Sequence, residues 1–418
     1  MKIDDLFEQG FGKMLSGSLG LEEPWFIERV NCDSTNQEFH IYVGVRNDAM
    51  IACPKCGRAT KRYGYETSER AWRHMDCLHY LCYVHAKRPR VQCSHCGVVQ
   101  ISAPFERPNS RFTTLFESYA LLIMMDVPRR RASSLLRCNE KSLASILSYW
   151  VNDAVSKLDL SKVTKLAIDE TSFKRNHEYV TVTVDPDERR VIDVQEGRSK
   201  ASVQAMKEKL ERQGGDATKI EAVTCDMSAA YVSAMEEYFP NAKLVIDKFH
   251  LKQLFINALD EAPKQDQREA DEKQYLFASR RLLTVPESKM SEKQIAEVNL
   301  IAKCYPRVGR AIRIVQAFDV LYSSETVEEA AGLLKQLCSW MRRCRLEPMK
   351  DVALTLAKHS QRILNYFHNR LTNAICEGIN SMIQAAKRKA RGFRTLEGFI
   401  AMIYLIAGKL RLDILKPF

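Results

Sequence analysis

A chain of 418 residues with 45% apolar and 28% charged content is long enough for two or three folded domains and too apolar for extensive disorder. Its longest apolar run, Phe399 to Gly408, is too short to span a bilayer, and Met1 to Gly20 lacks a signal-peptide apolar block, so the sequence is read as cytoplasmic with no membrane partner. A net charge of +11 favours a polyanion as partner, and thirteen cysteines, an odd number without a secretory signal, argue against a disulfide framework.

Trp25 to Val30 and Glu38 to Val45 alternate apolar with polar residues around a turn-rich segment and predict a hairpin. Two knuckles follow, Cys53-Pro-Lys-Cys56-Gly57 and Cys93-Ser-His-Cys96-Gly97, in which paired thiolates can grip one ion while backbone amides approach the sulfurs. The duplication points to structural Zn²⁺ on Cys53, Cys56, Cys93 and Cys96, although His74, Cys77, His79, Cys82 and His85 lie between the pairs and any could replace a ligand. A four-thiolate site leaves no open position for water, which argues against catalytic zinc. The remaining nine cysteines read as small buried residues. Lys61, Arg62, Trp72, Arg73, Lys87, Arg88 and Arg90 flank the knuckles, and they fit either a phosphate-facing surface or a solvated rim.

From Arg111 the pattern turns helical. Phe116, Ala120, Ile123 and Met124 form one apolar stripe that Val127-Pro128 ends, the basic triplet Arg129, Arg130 and Arg131 precedes Ala132 to Leu136, and a turn at Arg137 to Glu140 leads into a helix from Lys141 to Val155. Leu143, Ile146, Leu147, Trp150 and Val151 face inward there, leaving Lys141, Ser142, Ser145 and Ser148 outward. That is the pattern of a helix-turn-helix offering its second helix to the major groove, and it is equally the pattern of a plain helical bundle.

Leu166 to Ile168 read as a buried strand ending in Asp169 and Glu170, with Tyr179 to Val184 as hairpin partner and Arg190 to Val194 as a third strand. A helix from Lys200 to Gln213, a strand from Ile220 to Cys225 ending in Asp226, a helix from Ala229 to Tyr238 and a strand from Lys243 to Ile246 ending in Asp247 complete an α/β layer. In a mixed sheet ordered 3-2-1-4-5, Asp169 and Asp226 occupy neighbouring strand ends about 5 Å apart in the pairing direction. Acids that close repel unless a hard divalent cation compensates them; the alternative is that they cap loops.

Leu251 to His359 carry helical periodicity and charges of both signs, an all-helical insertion in which Trp340 and Tyr305 suit core packing better than base stacking. On a helix from Leu371 to Arg391, Asn373, Glu377, Asn380, Gln384, Arg388 and Arg391 share one side, and Ile375, Ile379, Met382, Ile383 and Ala386 share the other, by which the helix docks. The polar side offers one carboxylate among amides and cations, suited to a metal held near a phosphate backbone, and Lys387, Arg388, Arg391 and Arg394 make the densest basic segment.

These motifs in this order give the chain a resemblance, over nearly its whole length, to the DDE transposases of the ISL3 group of bacterial insertion sequences. The residues that carry it are the first knuckle with Trp72 to Asp76, the second knuckle, Ala167 to Glu170, Cys225 to Tyr231, Pro240 to Lys243, Asp247-Lys-Phe-His250, and Thr372-Asn373 through Glu377-Gly378 to Asn380, Lys387-Arg388 and Arg391-Gly392-Phe393. The resemblance implies a ribonuclease H-like α/β catalytic domain over 158–418 with the insertion at about 251–359, a zinc module over 1–105 and a helix-turn-helix over 106–157. It also implies Asp169, Asp226 and Glu377 as the Mg²⁺ or Mn²⁺ triad, with supporting roles for Asp247, His250 and Asn380. Double-stranded DNA, both terminal inverted repeats and target, is the implied partner of a nucleoid-associated homo-oligomer; Gln384 departs from a pattern that as often has lysine. The competing reading is a zinc and helix-turn-helix DNA-binding regulator with an inactive ribonuclease H-like domain.

Overall fold

Short runs of alternating burial shape the first third of the chain, and longer buried strands shape the middle. The computed structural model describes residues 3–174, 178–266, 282–285, 287–371, 373–412 and 414. Over these the chain divides into two compact units, one running to Ala154 and taking back Arg411 and Leu412, the other running from Val155 to Leu410.

The first unit opens with α1 (Ile3–Ser18), β1 (Trp25–Asp33), β2 (Glu38–Val45), β3 (Met50–Ala52), β4 (Ala59–Tyr65), β5 (Arg70–Arg73), β6 (Leu81–Ala86), β7 (Pro89–Cys93) and β8 (Gly97–Gln100). They form two four-stranded sheets, ordered β1-β2-β6-β5 and β3-β4-β7-β8. The predicted hairpin is the β1–β2 pair, and the stretch between the knuckles, for which the sequence predicted no strands, supplies β4 to β6. Ile41, Val84 and Trp72 on the inner face of the first sheet pack with Phe105 and Leu15.

Three helices follow: α2 (Thr114–Asp126), α3 (Arg129–Leu135) and α4 (Glu140–Ser156). The basic triplet expected before α3 forms its first turn instead, because Pro128 occupies the cap position and Arg129 already has helical neighbours. Arg137 takes φ +51° in the turn before α4 and pairs with Asp76 at 3.1 Å. Trp150, expected among the apolar inward residues, is half-buried because its indole N–H donates to Glu117 at 2.6 Å. Glu117 is fully buried and also accepts from Arg107 Nε at 2.7 Å and Ser110 Oγ at 2.6 Å, so its charge is compensated from the loop before α2 and from α4 together.

The second unit holds β9 (Lys165–Lys174), β10 (Glu178–Asp185), β11 (Arg190–Glu196), α5 (Lys200–Arg212), β12 (Ala222–Cys225), α6 (Ala229–Tyr238) and β13 (Lys243–Ile246). The sheet order is β11-β10-β9-β12-β13, antiparallel across the first three strands and parallel across β9, β12 and β13. This is the mixed 3-2-1-4-5 order expected from the alternation of elements. Leu166, Ile168, Val223, Cys225 and Leu244 point to the face covered by α5 and α6.

After β13 come α7 (Lys248–Asp266), α8 (Glu292–Cys304), α9 (Pro306–Leu321), α10 (Val327–Arg342), α11 (Glu347–Lys358) and α12 (Ser360–Asn369), the helical insertion, built on Phe255, Phe318 and Ile363. The Phe255 and Phe318 rings lie 4.5 Å apart. Tyr305 packs against this core, whereas Trp340 stays 36% exposed. The last two helices among the described residues are α13 (Ala374–Lys389) and α14 (Leu396–Ala407); the latter is apolar on most sides and buried along much of its length, with Phe399 stacked on Phe173 at 5.5 Å. No helix among the described residues is long and apolar enough to cross a membrane. Cys32 and Cys304, expected as buried, are exposed at positions on β1 and at the end of α8 that face no core.

Candidate metal centres and their surroundings

Strand pairing brings the first two acids into line. Thr224 on β12 pairs with Ala167 on β9, so Asp226 and Asp169 each lie two residues beyond a matched pair and, by alternation, on the sheet face opposite α5 and α6. β9 does not end at its acids as expected: it runs on to Lys174 because β10 pairs with it past Asp169 and Glu170, with Val182 opposite Asp169. Glu170 therefore points to the other face, and Arg198 Nη1 comes within 3.7 Å of it.

Asp169 is half-buried and held at both oxygens: Oδ1 accepts from the Glu170 amide at 2.8 Å and Oδ2 from Asn380 Nδ2 at 2.8 Å. Burial raises its pKa above the usual carboxylate range, and the Asp247 charge adds to the rise. Asp226 Oδ1 accepts from the Met227 amide at the turn into α6. Asp247 is buried at the head of α7, where its Oδ2 lies 3.0 Å from His250 Nδ1. That bond, with the charges of Asp226, Asp247 and Asp169, lifts His250 to about 9 against the opposing effect of burial, so the ring is a cation at neutral pH.

Glu377 stands in the first turn of α13. Burial raises its pKa, and the charges of Asp247 and Asp169 raise it further. The helix does not dock by its apolar side alone. Cys376, Ile379 and Ile383 are buried, but so is Asn373, and the polar row runs along β9: Asn373 Nδ2 to the Ile168 carbonyl at 3.4 Å, Gln384 Nε2 to Thr171 Oγ1 at 2.7 Å, and Lys387 Nζ to the Ser172 carbonyl at 2.6 Å. Met382, expected inward, is 49% exposed because the helix is rotated to seat its amides on the strand. Arg388, Arg391 and Arg394 are exposed. Asn380 Oδ1 and Asn373 Oδ1 are buried without a hydrogen-bond partner among the described residues.

This donor set is made of hard oxygens whose charges repel one another, the chemistry a divalent cation of the Mg²⁺ class relieves. The carboxylate oxygens are more widely spaced than the zinc ligands: among the described residues, the four cysteine sulfurs form the one group of three or more such side chains with ligand atoms all within 4.8 Å.

Those sulfurs belong to Cys53, Cys56, Cys93 and Cys96, a set consistent with structural zinc. A tetrahedral zinc site with bonds of about 2.3 Å needs sulfurs roughly 3.8 Å apart, and Cys56 and Cys93 stand at 3.5 Å. Gly57 and Gly97 take φ of +74° and +71°, which an L side chain resists, and in the second knuckle the His95 and Cys96 amides reach Cys93 and pull its thiol to about 6. His74 and Cys82 are buried in and under the first sheet instead, where burial holds His74 down at about 4 and pushes Cys82 up to about 12.

Among the candidate DNA contacts of the first unit, Arg130, Arg131, Lys141 and Ser145 are exposed, and Arg129 and Ser142 are half-buried. Trp72 and Arg73 are not surface residues. Trp72 is 1% exposed against Phe105, and Arg73 is tied to Asp76 and the His74 carbonyl.

A mixed sheet carrying strand-end acids, interrupted by helices before a last acidic helix and accompanied by a tetracysteine ribbon, defines a class. A family model described as transposase, of the DDE ISL3 type, matches residues 166–403, and one described as the zinc-finger of transposase IS204/IS1001/IS1096/IS1165 matches residues 50–96. The chain belongs to the ISL3 family of transposases. It is similar to the transposase for insertion sequence element IS1557 of Mycobacterium tuberculosis, 24% identical over 386 residues and 86% of each chain. It is equally similar to the transposase for insertion sequence element IS1001 of Bordetella parapertussis, 24% identical over 405 residues, 94% of this chain and 97% of the relative.

Proposed function

We propose that this chain cuts the ends of its own insertion sequence and joins the freed 3′ hydroxyl to target DNA, acting as a homo-oligomer on the terminal inverted repeats. The observation that carries the reading is the register of β9 and β12, which lines up Asp169 with Asp226, together with the Asn380 bond that ties α13 and its Glu377 to Asp169. Asp169, Asp226 and Glu377 would hold a pair of Mg²⁺ or Mn²⁺ ions. Bound there, such ions supply charge neutralisation at the phosphate and a more acidic attacking hydroxyl.

The chain's own residues do the positioning. Asn380 and the Glu170 amide fix the Asp169 carboxylate, the Met227 amide fixes Asp226, and Asp247 orients His250 so that its positive ring faces the acids. An imidazolium beside three carboxylates limits their mutual repulsion and offers a cation to an incoming phosphate.

Asp169→Asn, Asp226→Asn and Glu377→Gln are expected to lower Mg²⁺-dependent cleavage of labelled transposon-end DNA by several kcal/mol, about a thousandfold, with duplex affinity retained. The regulator with an inert catalytic domain is favoured by one observation, the wider spacing of the carboxylates compared with the cysteines. It predicts no cleavage by the unaltered chain and no phenotype for the three variants, and that outcome would replace the present reading.

A further inference from the structure

The zinc ribbon has a charge pattern of its own. Between Met50 and Tyr65 and between Lys87 and Phe105 there are seven lysines and arginines and no aspartate or glutamate, so even a tetrathiolate zinc with its two negative charges leaves the module strongly positive. Two of the seven are engaged inside the unit: Arg62 donates to the Val45 carbonyl and Asn47, and Arg88 donates to Glu66. The other five, Lys55, Arg58, Lys61, Lys87 and Arg90, are exposed, and none forms an ion pair among the described residues.

Strand alternation sorts them. Thr60, Val91 and Val99 face inward, which turns Lys61 on β4 and Arg90 on β7 outward with Gln92 and Val98. Pairing passes from Arg62–Val91 to Gly64–Arg90, leaving Tyr63 as the extra residue of a bulge, and it stands 64% exposed. From this register Lys61 and Arg90 sit one strand and two residues apart, about 8 Å between backbones.

We infer that the outer face of this ribbon, through Lys61 and Arg90 with Tyr63 beside them, is a sequence-independent clamp on the phosphate backbone of duplex DNA. The partner class follows from charge: an acid-free cationic face with one exposed aromatic ring fits a polyanion, and the identification of that polyanion as duplex DNA rests on the function proposed above. As phosphate contacts, Lys61 and Arg90 position the chain rather than specify a sequence.

The test uses the full-length, zinc-loaded chain and two fluorescent duplexes of equal length, one with the transposon end and one unrelated, titrated at several salt concentrations. Each phosphate contact removed should flatten the dependence of log affinity on log salt by about 0.9, so Lys61→Gln with Arg90→Gln should reduce the slope by about 2 on both duplexes, at unchanged zinc content. Arg58→Gln with Lys87→Gln, off the β4–β7 face, should change it less. An unaltered slope, or a loss on one duplex only, would overturn the inference while leaving the cleavage reading standing. A parent chain that binds neither duplex would overturn both.

Discussion

His74 lies 5% exposed under the first sheet with Nδ1 2.8 Å from the Thr113 hydroxyl, the same oxygen that caps α2 at the Phe116 amide. With the Phe116 N–H donating to that oxygen, the Thr113 O–H is left to donate to Nδ1, an arrangement open only to the neutral ring. Burial and the neighbouring Arg73 charge hold the pKa at about 4, below the unfolded value of 6.5. Between those values the unfolded chain binds the extra proton, so the folded state loses stability as pH falls from 6.5 to 4, by up to roughly 3 kcal/mol. Unfolding titrations of the parent and of His74→Gln should diverge in that window and run parallel above it. Equal acid limbs would show that the ring is not buried neutral. The sequence marked His74 as a possible zinc ligand because it lies between the knuckles. Nearness along the chain could not show that β5 turns it under the sheet.

At the scale of elements, α13 is the informative case. Its period was plain in the sequence, and so was the alignment of Glu377 with Asn373 and Asn380. The seating was not, because amides can face solvent or satisfy a strand equally well, and only the hydroxyls and carbonyls of β9 decide between them. Asn380→Ala should cut cleavage through a displaced Asp169, whereas Asn380→Asp should be worse because it sets a second charge against the Asp169 carboxylate. The check is the cleavage rate at rising Mg²⁺: if the alanine variant is not rescued toward the parent rate at high metal, the residue does not act by positioning that ligand. The knuckles were legible for a different reason. Cys-x-x-Cys-Gly states both the ligands and the positive φ that follows them, so sequence and geometry carry the same information.

For the molecule as a whole, the order of strands and helices in the second unit could be read because β9 to β11 and the helices are long enough to show a period, and the four-residue β12 and β13 stand out as short apolar runs closed by an acid. The first unit was largely opaque because β3, β5 and β8 span only three or four residues, too few for a pattern. Each unit has its own core, Trp72 and Ile41 in one, Phe318 and Leu166 in the other. Stripping zinc with a chelator should therefore lower the melting transition of the first unit and leave that of the second within about a degree. A common shift of both transitions in calorimetry would contradict independent cores.

Between β13 and α13 the chain runs through α7 to α12, a helical body that packs back on the sheet with Ile246 in its core and Asn365 donating to the Leu244 carbonyl at 2.9 Å, so one acid of the proposed triad is reached only after more than a hundred intervening residues. The other two stand at the end of the paired residues on adjoining strands. The path to the third corner thus runs through a helical body with its own aromatic centre at Phe255 and Phe318, and because Met227, next to Asp226, also packs against that body, a loosening of the centre bears on two of the three corners.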